Sequence, residues 1–433
     1  MPNTEFLMRR VLGSDIPRPA RRPLTSIGVN FAALSVFATF FGPWLVGELG
    51  ASAGQASAAY VVAGLAGVCG GYLGGRITDR FGPRAAVHLG AAGQVTGCAV
   101  LLLPGVGVRT ACVVLVAVTF LQPLRGVAQR IALVDAAPDS RSEELFAGYR
   151  LIINVGTFAG PLLGAGLVDH SWWLLHLEVT ALYALSLLTA LRVPYRTPGA
   201  GAPAPGAPDA PGTSGAARPR RSAGLAMLGD WRLYALMLAT TSAWTVVYAY
   251  ETVLPIALTQ SYGIAPATWG VVYSLGPVLV VLLQLRISRW TAGVAPRLRL
   301  AAGTAVMGAA FLVLPLSAAI GAVAVVVVTF LIGDMVWGPA SEDAPLRLAP
   351  DAHRGAYVGV LTASIWLGSA LAPGLGLPLR ESYGDTRLWQ AVFALALLSG
   401  AVYTLTDVLA ARTQPATAVA AADTGSAKDV NSA

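Results

Sequence analysis

Hydrophobic residues fill this chain in stretches of about 20, separated by short polar turns, and no segment alternates polar with apolar positions. A stretch of that length crosses about 30 Å of hydrocarbon as a helix, whereas period-two alternation is the mark of a membrane strand. The pattern predicts helices near 25–48, 54–78, 83–104, 109–136, 145–168 and 172–193, and again near 231–258, 265–289, 298–319, 321–348, 354–378 and 387–411. Turns such as Glu48 to Ser52, Pro104 to Val108 and Asp169 to Ser171 are short enough to make neighbouring helices antiparallel. The fold class expected is therefore all-α and polytopic, with twelve transmembrane helices.

The polar exceptions divide the chain. An Arg-rich tail, 1–24, shows no short apolar core with a cleavage site, so no signal peptide is expected. The first six helices fill 25–193 and the second six fill 230–412. Between them lies a linker, 194–229, whose centre from Thr197 to Ser222 is mostly Pro, Gly, Ala and Ser and cannot bury apolar surface. The remainder, 413–433, reads as a disordered tail.

The two apolar halves repeat one another at an offset of 212 residues. Pro43 matches Pro255, Ala137-Pro138-Asp139 matches Ala349-Pro350-Asp351, and Gly156, Pro161 and Gly164 match Gly368, Pro373 and Gly376. Such pseudosymmetry places a substrate site where two bundles meet, near the bilayer midplane.

Composition sharpens this picture. Residues are 55% hydrophobic and only 12% charged, with a mean hydropathy of +0.64, against about 25% charged in soluble domains. The net charge of +7 does not form a nucleic-acid surface. Apart from Arg109, Arg380 and Arg387 in the opposite loops and Arg125 inside a helix, the cations gather in the tails, alternate loops and helix ends of one side. That is the positive-inside pattern, so both termini are expected in the cytoplasm and the chain in a plasma (inner) membrane. Lys428 is the sole lysine, and the Arg, Ala, Gly and Pro usage points to a GC-rich bacterial genome. Cys69, Cys98 and Cys112 sit singly in apolar segments and read as packing residues, with no metal site expected.

The loop after the second helix reads Gly75-Arg76-Ile77-Thr78-Asp79-Arg80-Phe81-Gly82-Pro83-Arg84. Here Gly75 suits close helix approach, Gly82 a tight turn, and Asp79 hydrogen bonding to a helix N-terminus. The segment resembles the signature G-x-L-x-D-R-x-G-R-[RK] of the major facilitator superfamily. Gly75, Asp79, Arg80, Gly82 and Arg84 match, whereas Pro83 replaces a basic residue. The resemblance implies two six-helix bundles around a central cavity, the major facilitator fold. It also implies a latch between Asp79 and the start of helix 11, Asp351 to Arg354, in the outward-open state. A worn copy, Arg286-Ile287-Ser288-Arg289 with Pro296-Arg297, lacks the acid. Gly156, Gly160, Pro161 and Gly164 on helix 5 resemble the superfamily's drug–proton antiporter motif, although the helix 11 echo makes close packing their shared physical role.

Ionisable residues inside apolar helices are costly and mark function by default. Asp334 lies mid-helix, and its repeat partner is Gln122. Arg125, one turn from Gln122, is the evident counter-charge. The pair Arg125–Asp334 reads either as a fixed ion pair orienting two helices or as part of a proton path. Glu251, one turn before Pro255 among Trp244, Tyr248 and Tyr250, is the second candidate proton carrier. Asn154 and Trp366 are candidate cavity residues alongside Tyr248. Glu342, Asp343 and Arg347 form a possible cytoplasmic gate, with Asp343 and Arg347 at i,i+4.

No phosphate-binding Gly-x-x-x-x-Gly-Lys motif, zinc-protease motif or nucleophile elbow is present, so no enzyme and no cofactor are expected. The expectation is a monomeric secondary transporter exchanging protons for small amphipathic compounds, a drug or secondary metabolite, by alternating access. Its partners would be a small-molecule substrate, protons and the lipid bilayer. A nutrient importer of the same fold and a non-transporting membrane sensor are the alternatives.

Overall fold

The computed structural model describes residues 18–135, 142–195, 231–317, 319–348 and 354–413, and among them every regular element is helical. In the first half, α1 is Arg18–Pro43, continued by a wide π-turn at Trp44–Glu48; α2 is Ala53–Phe81, α3 Pro83–Val100, α4 Val108–Asp135, α5 Ser142–Val168 and α6 Trp172–Leu191. In the second, α7 runs Trp231–Tyr248, passes through a π-turn at Ala249–Val253 and ends with Leu254–Gln260. Next come α8 Pro266–Thr291, α9 Pro296–Ala310 with a 3₁₀ turn at Phe311–Val313, and α10 Ile320–Leu348. The final run, Arg354–Thr413, is broken by Gly384 at φ +79°, which divides it into α11 and α12.

Local chemistry sets many of these ends. Ser52 and Gln55 cap α2 reciprocally, while Pro83, Pro266 and Pro296 open α3, α8 and α9 where a missing N–H costs nothing. Gly82, at φ +82°, makes the turn between α2 and α3 in a conformation that side-chain-bearing residues avoid. Helix α1 begins seven residues earlier than the hydropathy pattern predicts, taking in the arginines at 18, 21 and 22. The expected loop between helices 11 and 12 is nearly absent, since the reversal is made at Gly384 rather than by a polar stretch.

Eight apolar runs among the described residues are long enough to cross a membrane, and the last, Ala363–Leu409, takes in both α11 and α12. Their outward surfaces are apolar: Val113, Leu282, Leu285 and Leu375 are each more than half exposed. Such a surface suits lipid rather than water. The chain is a multi-pass membrane protein.

The repeat is visible in hydrogen bonds. Ser186 on α6 donates to the Ser26 carbonyl on α1 at 3.0 Å, and Ser399 on α12 donates to the Ala239 carbonyl on α7 at 2.8 Å. Gly156 on α5 lies against the Gly28 carbonyl of α1, while a methyl on Gly368 of α11 would come within 2.6 Å of Trp244 Cβ on α7.

The face carrying Arg18 and Thr413 is called the terminal face here, and the opposite one the distal face. The halves meet along α2–α11 and α5–α8. The glycines that bring them together lie from mid-depth to the distal face: Gly67 against Trp366, Gly64 against Ala370, Gly374 against Val61, and Gly270 against Phe40. Ser57 also donates to the Gly374 carbonyl at 2.8 Å.

Candidate functional site

A cavity of about 380 Å³ lies between the halves. Phe31, Phe37 and Phe41 of α1 and Tyr60 of α2 form one wall; Trp244 and Tyr248 of α7, Tyr273 of α8 and Trp366 of α11 form the other. Gln122 of α4 reaches it from the first half. Among the described lining residues Glu251 is the only charged one.

Glu251 sits in the π-turn of α7. One extra residue per turn widens the helix there, and such turns recur at functional sites. Its carboxylate accepts from the Tyr273 hydroxyl, at 2.9 Å to Oε2 and 3.2 Å to Oε1. Tyr250, the neighbour facing away from the cavity, stacks on Phe330 of α10 with ring centroids 4.2 Å apart. Asp334 follows Phe330 by one turn; it is partly buried and stands off the cavity wall, yet close enough for its charge to act on Glu251 and Tyr250.

Arg125 does not meet Asp334. It is fully buried in the first half, where Nη1 donates to Gln94 Oε1 at 2.7 Å and Nη2 to the Ser186 hydroxyl at 2.8 Å. Gln94 in turn donates to Gln122 at 2.8 Å, so Gln122 separates the guanidinium from the cavity. The expected ion pair is corrected on this point: an amide and a hydroxyl hold the cation, and their dipoles replace a counter-ion.

The other anticipated residues divide. Tyr248 and Trp366 line the cavity, while Asn154 donates to the Arg150 carbonyl of its own helix at 2.9 Å and lies off the wall. Gly156, Gly160 and Gly164 pack on α1, at Gly28, Ala32 and Phe40, and the Pro161 carbonyl faces Gly270 of α8. Asp79, Arg80 and Arg84 are exposed at the terminal face, the Arg80 guanidinium lying 5.2 Å from the Phe81 ring centre. Gly75 is not a close-approach glycine, since a methyl there would meet nothing within 4 Å; Gly70 and Gly74 press on the Phe120 and Leu124 carbonyls of α4 instead. The side chains of Glu342, Asp343 and Arg347, and residues Asp351 to His353, lie outside the described residues.

Three groups stand between the cavity and the distal face. A methyl on Gly42 would come within 3.1 Å of both Ile256 Cδ1 and the Tyr60 hydroxyl, so these three groups form a septum. Beyond it lies a second space of about 330 Å³. There Arg380 reaches Gln260 at 2.6 Å, Ser261 at 2.8 Å and Asp385 at 2.7 Å, tying the end of α7 to the α11–α12 reversal. Sequence reading missed Tyr273, Gln94 and the septum. A lone Gln inside the apolar α3 is a signal for the second; the others depend on contacts between distant helices.

Comparisons with known proteins agree with this geometry. Residues 24–342 match the family model described as Major Facilitator Superfamily. The uncharacterized MFS-type transporter YhjO of Bacillus subtilis (strain 168) is 36% identical over 72 residues, a match spanning 16% of this chain and 18% of that protein. The multidrug resistance protein MdtH of Enterobacter sp. (strain 638) is 26% identical over 313 residues, 70% of this chain and 71% of the relative. Among solved structures, the POT family transporter PepTSo superposes with a TM-score of 0.73 at 14% identity, covering 93% of this chain and all of that one. The nucleoside transporter NupG gives 0.73 at 12% identity, covering 90% and 99%. With a family match over most of its length, and a two-half helical fold shared with solved transporters, the chain belongs to the Major Facilitator Superfamily.

Proposed function

We propose that this protein is a proton-coupled exporter of small amphipathic compounds, working by alternating access between its two halves. The observation that carries the reading is Glu251, a carboxyl in the wall of the inter-half cavity with a tyrosine hydroxyl as its hydrogen-bond partner. A carboxyl so placed can hold a proton in one conformation and release it in another, and Asp334 provides a second carboxyl within its electrostatic reach. The arginine distribution supports a cytoplasmic terminal face. On that assignment the septum of Gly42, Tyr60 and Ile256 closes the external side, and the conformation is inward-facing. Exposed Asp79 and Arg80 are then free to engage the start of α11 when the cytoplasmic side closes. The multidrug relative supports outward transport of drug-like compounds. The mostly apolar wall suits such cargo, whereas a peptide's carboxylate finds no basic residue among the described lining.

The test is substrate-triggered proton movement in proteoliposomes over a panel of antibiotics, dyes and nutrients, comparing wild type with Glu251→Gln and Asp334→Asn. Drug-triggered proton release from the lumen, lost in Glu251→Gln, is the expected result. Transport that proceeds without proton flux would overturn the coupling, and uptake confined to nutrients would overturn the direction.

A further inference from the structure

We propose that an anionic phospholipid of the distal leaflet docks in the furrow between α2 and α4, with an acyl chain between the two helices and its phosphate on Arg109. This goes beyond the export reading and concerns a different face of the molecule.

The furrow follows from where small residues fall. Gly70 and Gly74 press α2 against the Phe120 and Leu124 carbonyls of α4. On the distal side of that contact, Ala58 and Ala66 of α2 and Ala117 of α4 leave a space of about 710 Å³, flanked by Val62 and Val113. Those valines are 52% and 67% exposed, so the furrow opens outward, toward the bilayer. It runs from Gln55 and Arg109 at its mouth to Phe120 at its inner end. The helical step from Arg109 to Phe120 covers about 16 Å, and one leaflet contributes about 15 Å of hydrocarbon. The furrow is as long as one acyl layer is deep.

The mouth carries charge without a counter-charge. Arg109 is exposed and has no hydrogen-bond or ion-pair partner among the described residues. The other described arginines of the distal face are engaged: Arg380 with Gln260, Ser261 and Asp385, and Arg387 with Gln390. Arg109 also stands in the first turn of α4, which holds no acid. Unpaired N–H groups already make a helix start electropositive, so a cation there is unfavourable. An arginine on this face runs against the positive-inside bias as well. Two positive features lie side by side, and no carboxylate is among the described lining of the furrow; together they draw an anion. Gln55 adds a donor, since the Ser52 N–H occupies its Oε1 at 3.0 Å and leaves the amide Nε2 for a ligand.

The internal repeat shows that the fold does not demand these residues. At the offset of 212, Arg109 corresponds to Gly321, Ala66 to Val278 and Ala117 to Thr329. The second half thus has neither the arginine nor the two alanines at the equivalent places. A free phosphate would use the arginine alone, and an apolar helix of a second copy the furrow alone. A phospholipid uses both.

The test counts lipid retained by the full chain. Protein purified in maltoside detergent is titrated with dioleoylphosphatidylglycerol, dioleoylphosphatidylcholine or glycerol 3-phosphate, and read by native mass spectrometry and by thermal midpoint. Arginines of the terminal face attract anionic lipid too, so the readout is the difference between variants. Wild type is expected to retain one more phosphatidylglycerol than Arg109→Gln, and to prefer it over phosphatidylcholine at that site by about tenfold. Arg109→Lys should keep part of the preference. Ala66→Leu combined with Ala117→Leu fills the furrow, keeps the arginine and should lose the same lipid. A lipid-free midpoint equal to wild type excludes misfolding; if the double variant fails that check, Arg109→Gln decides. An unchanged count in Arg109→Gln overturns the proposal, as does a folded double variant with the full count. Glycerol 3-phosphate raising the midpoint as far as phosphatidylglycerol would assign a free anion site. A dimer lost in the double variant, with the lipid count unchanged, would assign the furrow to a second copy. Either overturns the proposal. No transport is read, so failure here leaves the export reading standing and failure of export leaves the lipid site standing.

Discussion

Arg125 of α4 and Trp337 of α10 occupy equivalent places in the two halves, 212 residues apart, and both are fully buried. Each packs its Cβ on a glycine of the preceding helix: a methyl on Gly90 would lie 2.7 Å from Arg125 Cβ, and one on Gly303 2.7 Å from Trp337 Cβ. The backbone thus provides the same slot twice. In the first half it holds a cation pinned by Gln94 and Ser186; in the second it holds an indole set edge-on to Trp244, 5.4 Å between centres. One turn earlier the pattern inverts, with Gln122 engaged by Gln94 opposite a carboxyl, Asp334. Architecture dictates the volume and the glycine, while the chemistry within has diverged. The first half has become a closed polar network, and both carboxyls of the proposed proton path belong to the second.

If volume governs both slots, emptying the larger ring should cost most. Trp337→Ala is expected to lose about 3–5 kcal/mol, seen as a large drop in the thermal midpoint of the detergent-solubilised protein. Gly303→Ala comes next at about 1–3 kcal/mol. It should exceed Gly90→Ala, because the added methyl meets the Gly333 carbonyl at 2.8 Å, against 3.3 Å for Leu121 at the other site. Ser186→Ala should cost about 1–3 kcal/mol by leaving a buried guanidinium donor unpaired, more than Ser399→Ala, which removes one neutral bond worth about 1 kcal/mol. The smallest change is expected from Arg125→Met, which fills the slot and removes a buried charge. A midpoint lowered as far as that of Trp337→Ala would show that the cation itself, and not the space it fills, holds the first half together.

The sequence made the repeat, the helical stretches and the Gly156/Gly368 pairing readable, because each is a property of spacing within one helix or between copies. The partners of the buried charges were not readable in that way. Counter-charge reasoning sends Arg125 to Asp334, but its two terminal nitrogens are met by an amide and a hydroxyl, groups that carry no sign to search for. Tyr273 stands 22 residues beyond Glu251 on the next helix, so their meeting depends on how α7 and α8 cross. Gly75 drew attention as part of a motif, whereas the helix face that touches α4 passes through Gly70 and Gly74. Position in a signature and position on a helix face are separate facts.

The way Arg125 is held also bears on how the protein is made. A nascent helix with an arginine at its centre enters the bilayer at a cost of about 2.5–3.5 kcal/mol. Gln94 lies 31 residues upstream on α3 and is already in place when α4 leaves the translocon, whereas Ser186 follows 61 residues later. A hairpin of α3 and α4 entering as a unit would let its glutamine shelter the charge, leaving α6 to complete the site only when the first half is nearly made.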